Sequence, residues 1–233
     1  MTDRRAVITG AGQGAGRAIA LRLAQAGFES VLVGRTASKL SDVAAEIAAD
    51  GGKASVQALN LTNDAALADL GAAQAGRKVD ILVNCAGDWL ISRLADTNNE
   101  QLDHILRVNL RAPYIVSRVL LPNLRRSDNA SIINIGSLVT AISVPSVSAY
   151  TAAKVGLKGL TGSLAAELRS ERIRVVMISP GPADTPMRAA ASPGIDKALL
   201  VQPETIAEMV HAVVSLPRGI ATSDFVLYSM AWE

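Results

Sequence analysis

Ser137, Tyr150 and Lys154 are the residues of this chain whose types and spacing point most directly to chemistry. A tyrosine and a lysine four positions apart share one helix face, one turn from each other. An ammonium held there favours the ionised phenol and brings a tyrosine within range of acid or base work near neutral pH. Ser137 follows the apolar run Ile133-Asn134-Ile135, so its hydroxyl is expected at the carboxyl end of a strand, the edge over which Tyr150 opens a helix. Upstream lies a glycine-dense turn, Thr9-Gly10-Ala11-Gly12-Gln13-Gly14-Ala15-Gly16. Gly10 permits a tight exit from a first strand, and Gly12 and Gly14 let backbone N–H groups approach a phosphate. Gly16 lets the next helix pack closely, with its N-terminus aimed at the anion. A glycine string alone is weak; one placed between strand and helix predicts a dinucleotide site. Together the two clusters predict redox chemistry on a nicotinamide cofactor.

The end of the second strand bears on which nicotinamide cofactor is used. It reads Val33-Gly34-Arg35-Thr36, with no acid for the ribose hydroxyls; Glu29 precedes the strand and Asp42 lies inside the next helix. Arg35, helped by Thr36 or Ser38, is therefore read as a clamp for the extra 2′-phosphate of NADP, in preference to NAD. The simpler reading is a solvated loop arginine.

The elements that must position these groups show as alternation. Short β-branched runs take turns with longer alanine- and leucine-rich amphipathic stretches. Strands are predicted at 6–8, 31–33, 54–59, 81–83, 131–135, 173–178 and 225–228. Helices are predicted at about 15–26, 38–49, 64–75, 100–124, 149–170 and 203–216, with Pro113 a candidate kink in the longest. Strands this apolar are buried on both faces, and the alternation implies right-handed crossovers. The predicted fold is α/β: a Rossmann-type doubly wound parallel sheet of about seven strands in order 3-2-1-4-5-6-7, helices on both faces, ligand at the carboxyl ends. No linker or repeat divides the sequence, so 1–233 is read as a single nucleotide-binding domain, with a substrate lid at about 182–200.

Composition excludes several functions. About half the residues are hydrophobic, 19% are charged and the net charge is +2, which describes a globular chain without a nucleic-acid or membrane-surface partner. No apolar run approaches the length of a bilayer. After Met1, Thr2-Asp3-Arg4-Arg5 leads into an apolar stretch too short for a signal-peptide core. Cys85 is the only cysteine, so no intrachain disulfide forms, and a cytoplasmic protein is expected. His104 and His211 lie in helical stretches with no second histidine or acid at ligand spacing, so no metal is expected. Cys85 is read as a small apolar filler, and Trp89, after a strand end, as a candidate lining residue of a substrate pocket.

The chain resembles the short-chain dehydrogenase/reductase family, whose hallmarks are a Thr-Gly-x-x-x-Gly-x-Gly turn and a Tyr-x-x-x-Lys pair; here these are Thr9–Gly16 and Tyr150–Lys154. Four further marks fall in order: Asn84-Cys85-Ala86-Gly87, Asn109 in the long helix, Ser137, and Pro180-Gly181-Pro182-Ala183-Asp184-Thr185. Ala15, Cys85 and Asn60 depart from the residues usual at their positions, without touching the reacting centre. The resemblance implies Tyr150 as general acid or base, Lys154 lowering its pKa and bonding the nicotinamide ribose, Ser137 holding the carbonyl oxygen, and Asn109 positioning a water. It implies cofactor contacts from Gly10, Gly12, Gln13, Gly14, Ala15, Gly16, Arg35, Thr36, Asn60, Leu61, Asn84, Ala86 and Gly87, and from Tyr150, Lys154, Pro180, Gly181, Ala183 and Thr185. The expected function is hydride transfer between NADP(H) and a small carbonyl or secondary alcohol. The alternatives are a 3-oxoacyl-acyl-carrier-protein reductase and, from another class, a non-catalytic NADP-binding regulator. Relatives commonly pair their two longest helices, so a homodimer or homotetramer is expected, with Ile105, Ile115, Leu120, Leu157, Leu160 and Leu164 as apolar candidates.

Overall fold

The computed structural model describes residues 4–191 and 194–231. The lid positions Ser192 and Pro193, the first three residues and the last two lie outside that range. Seven strands form one sheet: β1 (Arg5–Thr9), β2 (Glu29–Gly34), β3 (Ala54–Ala58), β4 (Ile81–Asn84), β5 (Ser131–Ile135), β6 (Arg174–Pro180) and β7 (Asp224–Leu227). Every neighbouring pair is parallel, in the order β3-β2-β1-β4-β5-β6-β7. The order reverses beside β1. There Thr9 lies in register with both Val33 and Asn84, and Asn84 with Asn134, so the central strands finish level at one edge.

The strands hold this register because alternate residues feed two separate cores. On one face Ile8, Leu32 and Val176 pack under α1 (Gly14–Gln25), α2 (Ala37–Ala49) and a later helix spanning Pro203–Val214. On the other, Val7, Val31, Leu82 and Ile132 meet α3 (Asp64–Ala73) and a helix at Ala112–Leu124. All seven of these strand residues are fully buried. Each such side chain contributes about 1.5–3 kcal/mol. Among the described residues no helix is long and apolar enough to cross a membrane.

The predicted long helix over 100–124 is three pieces: α4 (Asn99–Leu106), a π-helical turn over Arg107–Arg111, and α5 (Ala112–Leu124). The break is therefore not a kink at Pro113. Pro113 sits in the first turn of α5, where its missing N–H costs least. It can offer no hydrogen bond to the preceding turn, and the chain widens there into the π turn that carries Asn109. A third, smaller core joins Ile105, Val139, Ala149 and Tyr150, with Trp89 packed against it. It fixes the start of α6 (Ser148–Glu167). The expected lid holds α7 (Pro186–Ala191) and a 3-10 turn at Lys197–Leu199; α8 is the Pro203–Val214 helix. Ile105, Leu120 and Leu157, candidates for pairing subunits, are buried within the chain, and Ile115 and Leu164 pack against the second core.

Candidate active site

A cleft with a volume of about 510 Å³ follows the carboxyl ends of the strands from β2 past the reversal to the loop after β6. Its floor is the glycine turn. Gly10 adopts φ +70, and a Cβ there would lie 2.9 Å from the backbone of Ala86. A Cβ on Gly16 would overlap the carbonyl of Gly10. Thr9 closes the arrangement: its hydroxyl accepts the N–H groups of Cys85 and Ala86 at 3.0 and 3.1 Å and donates to the Val83 carbonyl. Gln13, the N-cap of α1, makes no side-chain cap, and the first turn holds no acid. The leading N–H groups and the positive end of the helix dipole are thus available to an anion.

At one end of the cleft stand Arg35 and Thr36, both exposed, with Asn60 and the buried Leu61 opposite. Asn60 Oδ1 accepts from the N–H and hydroxyl of Thr62, which fixes its side chain. Arg35 has no carboxylate partner among the described residues. Lys39, one turn into α2, lines the same end and donates to Gln13 Oε1. An uncapped helix end, a side-chain-free turn and two cations without an acid fit a dinucleotide bearing an additional phosphate.

At the other end α6 places Tyr150 and Lys154 on one face, and both are buried. Ser137, two residues beyond β5, lines the cleft with the phenol, and its hydroxyl accepts the Val139 N–H at 3.4 Å. The phenol is pushed up to about 12, chiefly by burial, with the Ser137 hydroxyl pulling the other way. The Lys154 ammonium lies 5.7 Å from the ring centre and donates to the Ile135 carbonyl at 2.9 Å. Burial also brings Lys154 down to about 8. It is therefore charged at neutral pH and loses its proton in mildly alkaline solution. Asn109 is fully buried in the π turn; its amide donates to the carbonyls of Asp88 and Ile105, and its Oδ1 accepts the Asp88 N–H. Gly87 is the point where these groups meet, since a Cβ there would lie 2.8 Å from Asn109 Oδ1 and 3.7 Å from Lys154 Nζ. A buried proton donor, a hydroxyl on the same cleft wall and a nearby ammonium can protonate an oxygen that gains charge between them.

Gly12, Gly14, Ala15, Ala86, Pro180, Gly181, Ala183 and Thr185 also line the cleft. Asn84 does not. It lies beneath the wall, donating to Ser117 Oγ and Asn134 Oδ1, and acts as a tie between β4, β5 and α5. Cys85 lines the cleft with its thiol pushed up to about 11 by burial, which suits a filler better than a nucleophile. Trp89 stands edge-on to Tyr150 with ring centroids 4.4 Å apart.

His104, read as having no second histidine or acid at ligand spacing, pairs through Nε2 with Asp88 Oδ2 at 2.8 Å across sixteen residues of chain. Asp88, Lys39 and Arg188 line the cleft, and sequence reasoning passed over all three. For Lys39 a signal existed, a second cation one helical turn after Arg35; for the other two only the folded loops supply it. No cluster of three or more metal-ligating side chains occurs among the described residues.

Comparison with known proteins places this geometry. The short chain dehydrogenase family model matches residues 4–196. An uncharacterized oxidoreductase of Staphylococcus aureus is 33% identical over 226 residues, 96% of each chain. A metagenomic short-chain oxidoreductase solved with NADP is 35% identical, covers 96% of both chains and superposes with a TM-score of 0.83. An alcohol dehydrogenase from Thermococcus sibiricus, solved with 5-hydroxy-NADP, is 26% identical over 99% of this chain and 98% of its own, with a TM-score of 0.90. The chain belongs to the short-chain dehydrogenase family.

Proposed function

We propose that the protein is an NADP(H)-dependent oxidoreductase that interconverts a small carbonyl compound and its secondary alcohol, with Tyr150 as general acid and base. One observation carries the reading: a single cleft joins Ser137, Tyr150 and Lys154 to an end where Arg35 and Lys39 face solvent without an acid. That NADP is bound in the metagenomic relative supports the choice of cofactor. The glycine turn and α1 would hold the diphosphate, Arg35, Thr36 and Lys39 the 2′-phosphate, and Lys154 the nicotinamide ribose. The bound nicotinamide supplies or accepts the hydride.

In reduction Ser137 orients the carbonyl oxygen and Tyr150 delivers the proton to it. Lys154 offsets the negative charge left on the phenol, and Asn109 holds the path by which the proton is replaced. The stretch 182–200, whose Thr185 lies against Gly14, would act as a lid that excludes water. The single free Cys85 supports a cytoplasmic setting. Exposed Leu102, Tyr114 and Val155 on α4, α5 and α6 support assembly into a dimer or tetramer through those helices.

A panel of ketones assayed with NADPH and NADH, for the wild type and Arg35→Ala, tests the reading. Loss of a charged phosphate contact is expected to raise the KM for NADPH by about 10- to 100-fold and to leave NADH within about threefold. Equal losses with both cofactors would remove Arg35 as the discriminator.

A further inference from the structure

We infer that the substrate carries a carboxylate, received by the Arg188 guanidinium on α7 and the indole N–H of Trp89. The inference rests on the oxidoreductase reading above and names the substrate class of that same site. Two donors lining the cleft have nothing to bond. Arg188 Nε is buried without an acceptor, and no carboxylate pairs with this arginine among the described residues. The nearest acid in the loop before it, Asp184, is held by Lys197 at 3.1 Å. Trp89 Nε1 is likewise buried without an acceptor, on the ring that stands edge-on to Tyr150. Buried donors are nearly always paired in folded proteins, and leaving them unpaired costs stability. Two such donors line one cleft and one of them is charged, and an anionic acceptor would satisfy both.

The charges along the cleft point the same way. Arg35, Lys39, Lys154 and Arg188 line it against one acid, Asp88, which is engaged by His104. Arg35 and Lys39 lie at the end assigned to the 2′-phosphate, and the uncapped end of α1 faces the diphosphate. Lys154 is committed to the reacting end through the Ile135 carbonyl. Arg188 is the remaining cation. The segment that meets the glycine turn is Thr185, against which a Cβ on Gly14 would lie at 3.1 Å, and Arg188 comes one turn later. Ile142, Val144 and Met187 line the same cleft and are each about 40% exposed, so an aliphatic body fits beside the charge. The substrate class that satisfies all of these is a short-chain oxo acid with its hydroxy acid product. The carboxylate is a spectator, and the oxidation state changes only at the carbonyl carbon.

The test pairs 3-oxobutanoate, 4-oxopentanoate and 3-oxohexanoate with their methyl esters, comparing kcat/KM for the wild type, Arg188→Gln and Trp89→Phe. The wild type is expected to prefer the acid over its ester by at least about tenfold. Arg188→Gln should abolish that preference, and Trp89→Phe, which keeps the ring on Tyr150, should reduce it about threefold or more. In parallel, NADPH affinity is measured by fluorescence titration, and butanoate is compared with butanamide by calorimetry on the NADP+-loaded protein. Tighter binding of butanoate than of butanamide, lost in Arg188→Gln, supports the inference whether or not any panel ketone turns over. Equal acid and ester rates, equal binding of butanoate and butanamide, or binding of neither overturns it. So does a rise in the NADPH Kd of Arg188→Gln that matches its loss of acid turnover, because that assigns the arginine to the cofactor diphosphate. A protein that binds NADPH yet reduces neither acids nor esters counts against the oxidoreductase reading instead.

Discussion

Tyr150→Phe is expected to lower kcat for ketone reduction by about 10²- to 10⁴-fold, the range a positioned acid supplies. The substitution removes one oxygen and keeps the ring that packs on Trp89 and fills the third core. Stability should therefore change little, and the Kd for NADPH, read by fluorescence titration, should stay within about threefold. The pH profile supplies a second signature. In the wild type the phenol, pushed up to about 12, stays protonated well above neutrality, whereas Lys154, brought down to about 8, does not. As pH rises through about 8 the ammonium that offsets the developing phenolate is lost, so reduction should decline on that limb while the acid itself is still present. Tyr150→Phe has no phenolate to stabilise, and its residual rate should not show that decline. Near wild-type turnover by the variant would end the assignment.

Gly16→Ala carries the second large effect, and it acts on the fold. The new methyl group would be forced into the Gly10 carbonyl, a backbone atom held by the turn, and would also approach Ala11 Cα at 3.2 Å. No rotamer relieves a Cβ clash, so α1 must retreat from the sheet or the turn must open. Overpacking of this kind costs about 1–3 kcal/mol, and a rigid backbone partner places this case at the upper end. For a chain of this size that is a drop of roughly 6–12 °C in Tm, with NADPH binding lost along with the turn. Gly159→Ala is the control. It lies within α6 with nothing inside 4 Å of its Cβ position, and should gain about 0.5–1 kcal/mol from helix propensity. Thermal melts of the two variants together separate a steric cost from a general intolerance of alanine. Equal Tm values for Gly16→Ala and wild type would mean that the turn is not packed as described.

The layout of the sheet was readable because it is written in local patterns. Runs such as Ala6-Val7-Ile8 and Ile81-Leu82-Val83, each separated by an amphipathic helix, leave one economical topology, and the observed strand order follows it. The spacing of Tyr150 and Lys154 and the position of Gly10 to Gly16 are local in the same way. What escaped the sequence depends on partners far along the chain or on burial. Asn84 looked like a cofactor contact, yet its amide meets Asn134 fifty residues later. The acid beside His104 is Asp88, from a different loop. Helical periodicity ran unbroken through 100–124, because a π turn adds a residue without disturbing the apolar pattern enough to be seen. The rise in the Tyr150 pKa came from enclosure, which no local pattern records.

Hydride transfer itself is tested most directly by isotope. A ketone from the panel is reduced with NADPH carrying deuterium at both C4 positions, in ordinary water, and the alcohol is weighed by mass spectrometry. The account predicts one deuterium on the carbinol carbon of every product molecule, with the hydroxyl proton drawn from solvent. An alcohol formed without label on that carbon, or no alcohol from any ketone in the panel, would contradict it.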